Sequence, residues 1–276
     1  MVGIYTNLER DKNLKVTKLL LENLERAGIL YCMHSDAAKL LKCDCFFDEN
    51  SIPQLELMIA LGGDGTILSA LQFCSGGGIP IVGINLGKVG FLAEIDVCGI
   101  KSFVDKIAAK KYGVSDKNML SVSFDGQTFD ALNEISISRN KAERSINFQV
   151  FVRDEAVSSF FGDGFLVSTP TGSTAYSLSA GGPIVSYDVR CLILTPLNAH
   201  SLFSRSMIVG GDERVVVTVD NCVSVISDGK LSGITDNEVV ISKSTKIAKF
   251  AVFNEKNFYS KLRKKLGSIS ILPEDK

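Results

Sequence analysis

Gly62-Gly63-Asp64-Gly65-Thr66 follows directly on the apolar run Leu57-Met58-Ile59-Ala60-Leu61. Glycines at a strand-to-helix turn let backbone amides approach a phosphate closely, with the positive end of the next helix behind them. Gly62, Gly63, Gly65 and Thr66 are therefore candidate phosphate-binding residues. The carboxylate among them would repel a phosphate, so Asp64 needs another use. It could hold a metal ion or accept a proton from an attacking hydroxyl, and both roles stay open. The plainer alternative is a tight turn in which Asp64 or Thr66 caps the helix. The turn is neither a GxxxxGK[ST] loop nor a GxGxxG fingerprint.

A second constellation runs from Ser168 to Pro183. Its sixteen residues hold seven Ser or Thr hydroxyls, three glycines, two prolines and no charge. A solvated loop would carry charge and a core segment more apolar bulk. Small hydroxyl residues and glycine suit a snug pocket that hydrogen-bonds a flat polar ligand, with Tyr176 placed to stack on a ring. The bland reading is a Ser/Thr-rich turn around a core tyrosine. Asn133-Glu134, an amide beside a carboxylate at the start of a strand, can grip ribose hydroxyls, although such pairs are common on surfaces. Asp163, within Gly162-Asp163-Gly164, reads as a turn residue.

The elements that must position these residues come in two styles. Val2 to Thr6 is a short apolar strand, and Lys12 to Arg26 carries leucines at 14, 19, 20, 21 and 24 on a helical stripe that Gly28 stops. Leu57 to Leu61 and Ile79 to Ile84 are continuous apolar strands of the kind buried in a parallel sheet, with Ile67 to Phe73 helical between them. From about Leu120 short β-rich runs take over: Val122 to Phe124, Glu134 to Ser138, Phe148 to Val152, Phe165 to Ser168, Leu192 to Thr195, Arg214 to Val219 and Val223 to Ser227. Asp125-Gly126 and Asp228-Gly229 mark hairpins. Asn254 to Leu266 reads as a closing helix with basic last turns. The expectation is an α/β domain over 1–115, completed by about 250–276, and a β-rich domain over 116–249.

Composition excludes several classes. The 276 residues are 45% hydrophobic and 22% charged, with net charge −1. That is enough apolar material for a core, and too little basic excess for nucleic acid or an anionic membrane. Apolar runs fall far short of the ~20 residues of a membrane span. Seven cysteines without zinc-site spacing, and an opening Met1-Val2-Gly3-Ile4-Tyr5 unlike a signal peptide, point to free thiols in a reducing cytoplasm. The two histidines, His34 and His200, form no metal-like pair, and no GxSxG elbow exists.

Taken in order and spacing, the motifs resemble the NAD kinase family. The likeness covers Gly62 to Thr66, Asn85 to Leu92, Asn133-Glu134, Asp163-Gly164, Thr169 to Pro183 and Asp228-Gly229. The glycine turn alone also occurs in diacylglycerol-type lipid kinases and phosphofructokinases, whereas the Thr-Pro-Thr-Gly-Ser-Thr-Ala-Tyr segment is specific. The resemblance implies a Rossmann-like N-terminal α/β domain and a β-rich, sandwich-like C-terminal domain. The final segment would return to the first domain. It implies phosphorylation of the 2′-hydroxyl of the adenosine ribose of NAD to give NADP, with ATP, or polyphosphate, as donor and Mg²⁺ or a similar metal. It also implies a homo-oligomer, dimer or tetramer, in which the Asp163 and Tyr176 regions of neighbouring subunits share one pocket. By the family pattern Asp64 is the catalytic carboxylate. Asp64, Gly65, Asn133, Glu134, Arg144, Asp163, Thr174, Ala175, Tyr176, Ser177, Leu178 and Ser179 bind NAD. Phe161 replaces a basic residue of some relatives, Ser186-Tyr187 a frequent His-Pro, and Lys230 a Gln or Asn.

Two other readings compete. A lipid kinase shares the turn, but the polar Thr169 to Ser179 stretch suits a nucleotide better than an acyl chain. A dinucleotide sensor without catalysis would gain by losing Asp64, whose charge repels phosphate.

Overall fold

A computed structural model of the chain describes residues 1–48, 51–52, 54–74, 76, 78–87, 90–140, 145–201, 205–253 and 258–266. Its contacts divide into two units, Met1–Asp116 with Ala248–Lys276, and Lys117–Ile247.

The first unit alternates strand and helix: β1 (Val2–Thr6), α1 (Lys15–Arg26), β2 (Tyr31–His34), α2 (Ser35–Leu41), β3 (Phe46–Phe47), β4 (Leu57–Gly62), α3 (Asp64–Leu71), β5 (Ile81–Asn85), β6 (Ile95–Asp96) and α4 (Ile100–Ala108). Every pairing among these strands is parallel, with β1 between β2 and β4, and β5 on the far side of β4. All six residues of β4 are buried, as an unbroken apolar run between covered faces requires. Leu20 and Leu24 of α1 and Phe103, Val104 and Ile107 of α4 pack into one core with Ile4, Ile59 and Ile84. The helix expected from Lys12 starts at Lys15, because Asn13 and Leu14 adopt left-handed backbone, φ 59° and 54°. It ends as expected at Gly28, φ 67°. The helix expected from Ile67 begins three residues earlier, at Asp64, so the carboxylate is its first residue.

The second unit is built of β7 (Gly113–Phe124) from Lys117 onward, β8 (Gln127–Ala131), β9 (Glu134–Arg139), β10 (Ile146–Val152), β11 (Glu155–Gly162), β12 (Gly164–Ser168), α5 (Tyr176–Ser179), β13 (Cys191–Leu197), β14 (Met207–Gly210), β15 (Val215–Val219), β16 (Val223–Ser227), β17 (Lys230–Thr235) and the first part of β18 (Val239–Val252). One antiparallel sheet runs β14-β13-β12-β9-β16-β17, and another carries β11, β10, β15 and β18. Alternate residues face inward. Ile135, Ile137, Val167, Leu194 and Val225 of one sheet join Phe148, Val150, Val217 and Ile241 of the other in a single core, which makes a sandwich. Asp125-Gly126 and Asp228-Gly229 both take positive φ, as two-residue hairpin turns demand. Val122 to Phe124 is the end of a strand that begins nine residues earlier.

β18 carries the chain out of the sandwich and into the first unit, where Phe250 pairs in parallel with Ile81 of β5. Phe253 follows, edge-on to Phe103 at 4.7 Å and stacked on Tyr112 at 4.9 Å. The last helix, α6, spans Phe258–Leu266, while residues 254–257 of its expected start lie outside the described residues. No helix among the described residues is long and apolar enough to cross a membrane.

Candidate active site

In the first unit, Gly62 ends β4, Gly63 is the N-cap of α3, and Asp64, Gly65 and Thr66 make its first turn. Thr66 Oγ1 accepts the Gly63 N–H at 3.3 Å, so Thr66 does the capping. Asp64 is left for something else. Its Oδ2 accepts the Phe91 N–H at 2.8 Å, and its Oδ1 accepts those of Leu92 at 3.0 Å and Ala93 at 3.4 Å. Gly90 permits this approach, since a Cβ there would stand 2.1 Å from Asp64 Oδ1. Lys265 of α6 places its Nζ 4.0 Å from Asp64 Oδ2 and over the Phe91 ring, 4.3 Å from its centroid. The carboxylate remains partly exposed, and Gly65 beside it is open to solvent. Of the Asn85 to Leu92 stretch, Lys88 and Val89 lie outside the described residues. Asn85 forms a side-chain turn with Gly87, and the Leu86 N–H donates to the Gly62 carbonyl, tying this loop to the glycine turn.

In the second unit the structure brings Asn133 and Glu134 against the hydroxyl-rich segment. The Thr169 N–H donates to the Asn133 carbonyl at 2.9 Å, and Thr169 Oγ1 to the Leu132 carbonyl at 2.7 Å. Gly172 packs so closely on the Asn133 backbone that a Cβ would lie 2.1 Å from its carbonyl oxygen. Thr174 closes a 3₁₀ turn and is buried, Ala175 breaks it, and Tyr176–Ser179 form the short α5. Ser177 and the half-buried Leu178 face inward and Ser179 outward, and 46% of Tyr176 is exposed, leaving its ring accessible to a flat ligand.

Glu134 is the electrostatic centre of this cluster. Burial first, and then the nearby Asp228, raise its carboxyl to about 7, while the Tyr176 N–H pulls the other way. One of its oxygens, Oε2, is buried without a partner, as are Ser168 Oγ and Ser177 Oγ. Buried polar atoms normally find partners, so this group of orphans marks where a polar ligand would satisfy them. Asp228, which the sequence marks as a hairpin residue and as part of the family likeness but assigns no role, accepts the N–H groups of Leu132 at 2.7 Å, Asn133 at 2.8 Å and Glu134 at 3.2 Å. Burial raises its carboxyl, against those three amides. Asp228 therefore fixes the backbone that presents the Asn133-Glu134 pair.

Asp163 is not part of that cluster. It precedes β12, whose other end, Ser168, pairs with Glu134, so five strand residues, about 17 Å, separate the two. Asn198 Nδ2 at 2.9 Å and Arg139 Nε at 2.6 Å donate to its carboxylate, and these bonds, Asn198's first, hold its pKa below the usual range. Arg144 lies outside the described residues.

Comparison with known proteins gives this geometry a context. Residues 2–112 match the family model of the ATP-NAD kinase N-terminal domain, and residues 132–253 that of the ATP-NAD kinase C-terminal domain. The NAD kinase of Acetivibrio thermocellus is 36% identical over 278 residues, covering 96% of both chains. That of Clostridium perfringens strain 13 is 35% identical over 279 residues, covering 97% of this chain and 99% of its own. Among solved structures, yeast NADH kinase complexed with NADH has a TM-score of 0.90 at 23% identity, covering 100% of this chain and 89% of the other. An NAD kinase from Archaeoglobus fulgidus in complex with ATP has a TM-score of 0.78 at 26% identity, covering 96% and 99%. The fold is therefore shared with these enzymes, and identity of this size along nearly the whole length settles the kinship: the chain belongs to the NAD kinase family.

Proposed function

We propose that this protein phosphorylates NAD on the 2′-hydroxyl of its adenosine ribose, with ATP as donor, to form NADP. The observation that carries the reading is full-length identity of 35–36% to NAD kinases in a chain that retains an accessible Asp64 on its glycine turn. Relatives of the same fold have been solved with NADH and with ATP.

Asn133, Glu134 and the Thr174 to Ser179 run hold NAD. A Glu134 carboxyl near neutral pKa both donates and accepts hydrogen bonds, which matches a pair of ribose hydroxyls. Tyr176 offers its ring as a stacking surface. Gly62, Gly63, Gly65 and Thr66 receive the donor phosphates. The ribose oxygen forms a bond to the γ-phosphorus, the bond from that phosphorus to the β,γ-bridging oxygen breaks, and the hydroxyl proton passes to Asp64. Three amides already fix the Asp64 carboxylate: Oδ1 accepts two of them, and Oδ2, which accepts one, keeps a lone pair for that proton.

Among the described residues no group of three acidic, histidine or cysteine side chains could hold a metal alone. The donor set fits a cation brought in mainly on phosphate oxygens, and a metal contact from Asp64 would be the alternative to its taking the proton. Such a cation would neutralise phosphate charge.

The active form is a homo-oligomer. Its support is the separation of Asp163 from Glu134 along β12, which suits a pocket completed by a neighbouring subunit, and the apolar residues exposed on the edge strands β14 and β17. Seven free thiols suit a reducing cytoplasm. The pure protein incubated with NAD, ATP and Mg²⁺ should form NADP, and excess chelator should stop it. Absence of NADP, or full activity in chelator, refutes the reading.

A further inference from the structure

Arg10 lies in the connection between β1 and α1, and Asn7 fixes where its side chain starts. The Asn7 N–H donates to the Leu61 carbonyl at 2.9 Å, and its Oδ1 accepts the N–H groups of Glu9 at 3.1 Å and Arg10 at 3.0 Å. Its Nδ2 donates to Thr66 Oγ1 at 3.3 Å. From this anchor the guanidinium reaches over the glycine turn. A Cβ at Gly63 would stand 2.6 Å from Arg10 Nη1 and 3.3 Å from Cζ, and one at Gly87 would stand 3.7 Å from Nη1.

This cation makes no ion pair among the described residues. The nearby acids are engaged elsewhere. Asp11 turns inward to accept the Val16 N–H and the Thr17 N–H and O–H, and Asp64 takes the Phe91 to Ala93 amides. Arg10 thus stands beside the positive end of α3, which carries about half a charge. Arg10 is exposed and Asp64 already places one carboxylate in the first turn of α3, so the guanidinium and the amides of the glycine turn together offer donors to a further anion. A guanidinium presents a planar fork of donors suited to phosphate oxygens.

We propose that Arg10 binds the terminal phosphates of the donor, above the Gly62 to Thr66 turn. The assignment rests on the proposed kinase activity and adds a residue that its motif does not contain. Because Arg10 meets phosphate and not the base, inorganic tripolyphosphate should compete for it.

The test uses the full chain with Arg10→Gln and Arg10→Lys, and melting temperatures confirm that both variants fold. Loss of one charged contact should raise KM for ATP about tenfold or more in Arg10→Gln. KM for NAD should stay within about twofold, and inhibition by tripolyphosphate should weaken by the same factor as ATP binding. Arg10→Lys should fall between, keeping the charge and losing the fork. An unchanged KM for ATP, or equal rises for ATP and NAD, would overturn the assignment. If the wild type forms no NADP, the kinase reading itself fails. Arg10 is then judged by calorimetric titration with tripolyphosphate, where equal affinity in wild type and Arg10→Gln overturns it and at least tenfold weaker binding upholds it.

Discussion

Asp64 and Asp228 are each gripped by three consecutive backbone amides, which orients a carboxylate before any ligand arrives. At Asp64 the charge itself is the useful part. Asp64→Asn keeps the shape, so kcat should fall by at least about a hundredfold with NAD binding nearly intact, read by steady-state kinetics and NAD titration. Partial rescue by raised Mg²⁺ would assign Asp64 to the metal instead of the proton. Tyr176→Ala should raise KM for NAD far more than KM for ATP, and equal rises would remove the stacking role. Glu134 is tied to pH. Its folded value of about 7 lies above its ordinary 4.5. Folding is therefore favoured while it is protonated, and that contribution is lost as pH rises through 7. Glu134→Gln lacks the titration and should gain roughly 2–3 kcal/mol on the wild type between about pH 5 and pH 8, by urea denaturation. A difference independent of pH would contradict this. Asp64 was legible because glycines flank it in sequence. The partners of Asp228 stand 94 to 96 residues away, and Arg10 more than fifty from its turn, so no local pattern reveals either.

Elements explain why some positions tolerate only one residue. The loop that ends β5 must bring its amides onto Asp64, and Gly90 is where it passes closest. Gly90→Ala would displace the carboxylate without removing its charge, so kcat should fall while NAD affinity and melting temperature hold. Unchanged kcat would show that the loop yields instead. The buried strand β4 and the stop at Gly28 could be read directly, because an unbroken apolar run and a left-handed glycine are local signals. α4 and β18 could not. Ile100–Ala108 is short and flanked by glycine and lysines. β18 has a polar middle, Lys243-Ser244-Thr245-Lys246, whose strand character comes from its neighbours. The strained start of α1 was equally hidden, since nothing in the leucine stripe announces left-handed backbone at Asn13 and Leu14.

For the whole molecule, the open edges of the sandwich matter most. β14 and β17 end the same sheet, and β17 exposes 64% of Leu231 and 55% of Ile234. Unpaired apolar edges are managed by covering them, and a second copy of the chain would do so. Leu231→Lys with Ile234→Lys should lower the particle mass measured by light scattering and reduce activity with it. An unaltered mass would place the interface elsewhere. The path of β18 has a separate outcome, during translation. The stretch Lys117–Ile247 forms one unit without any later residue, whereas the unit begun by Met1 still lacks Phe250 beside β5 and Phe253 against Phe103 and Tyr112. Chains leave the ribosome N-terminus first. The nascent protein therefore completes its middle before its beginning, and the first strands synthesised are the last to be sealed.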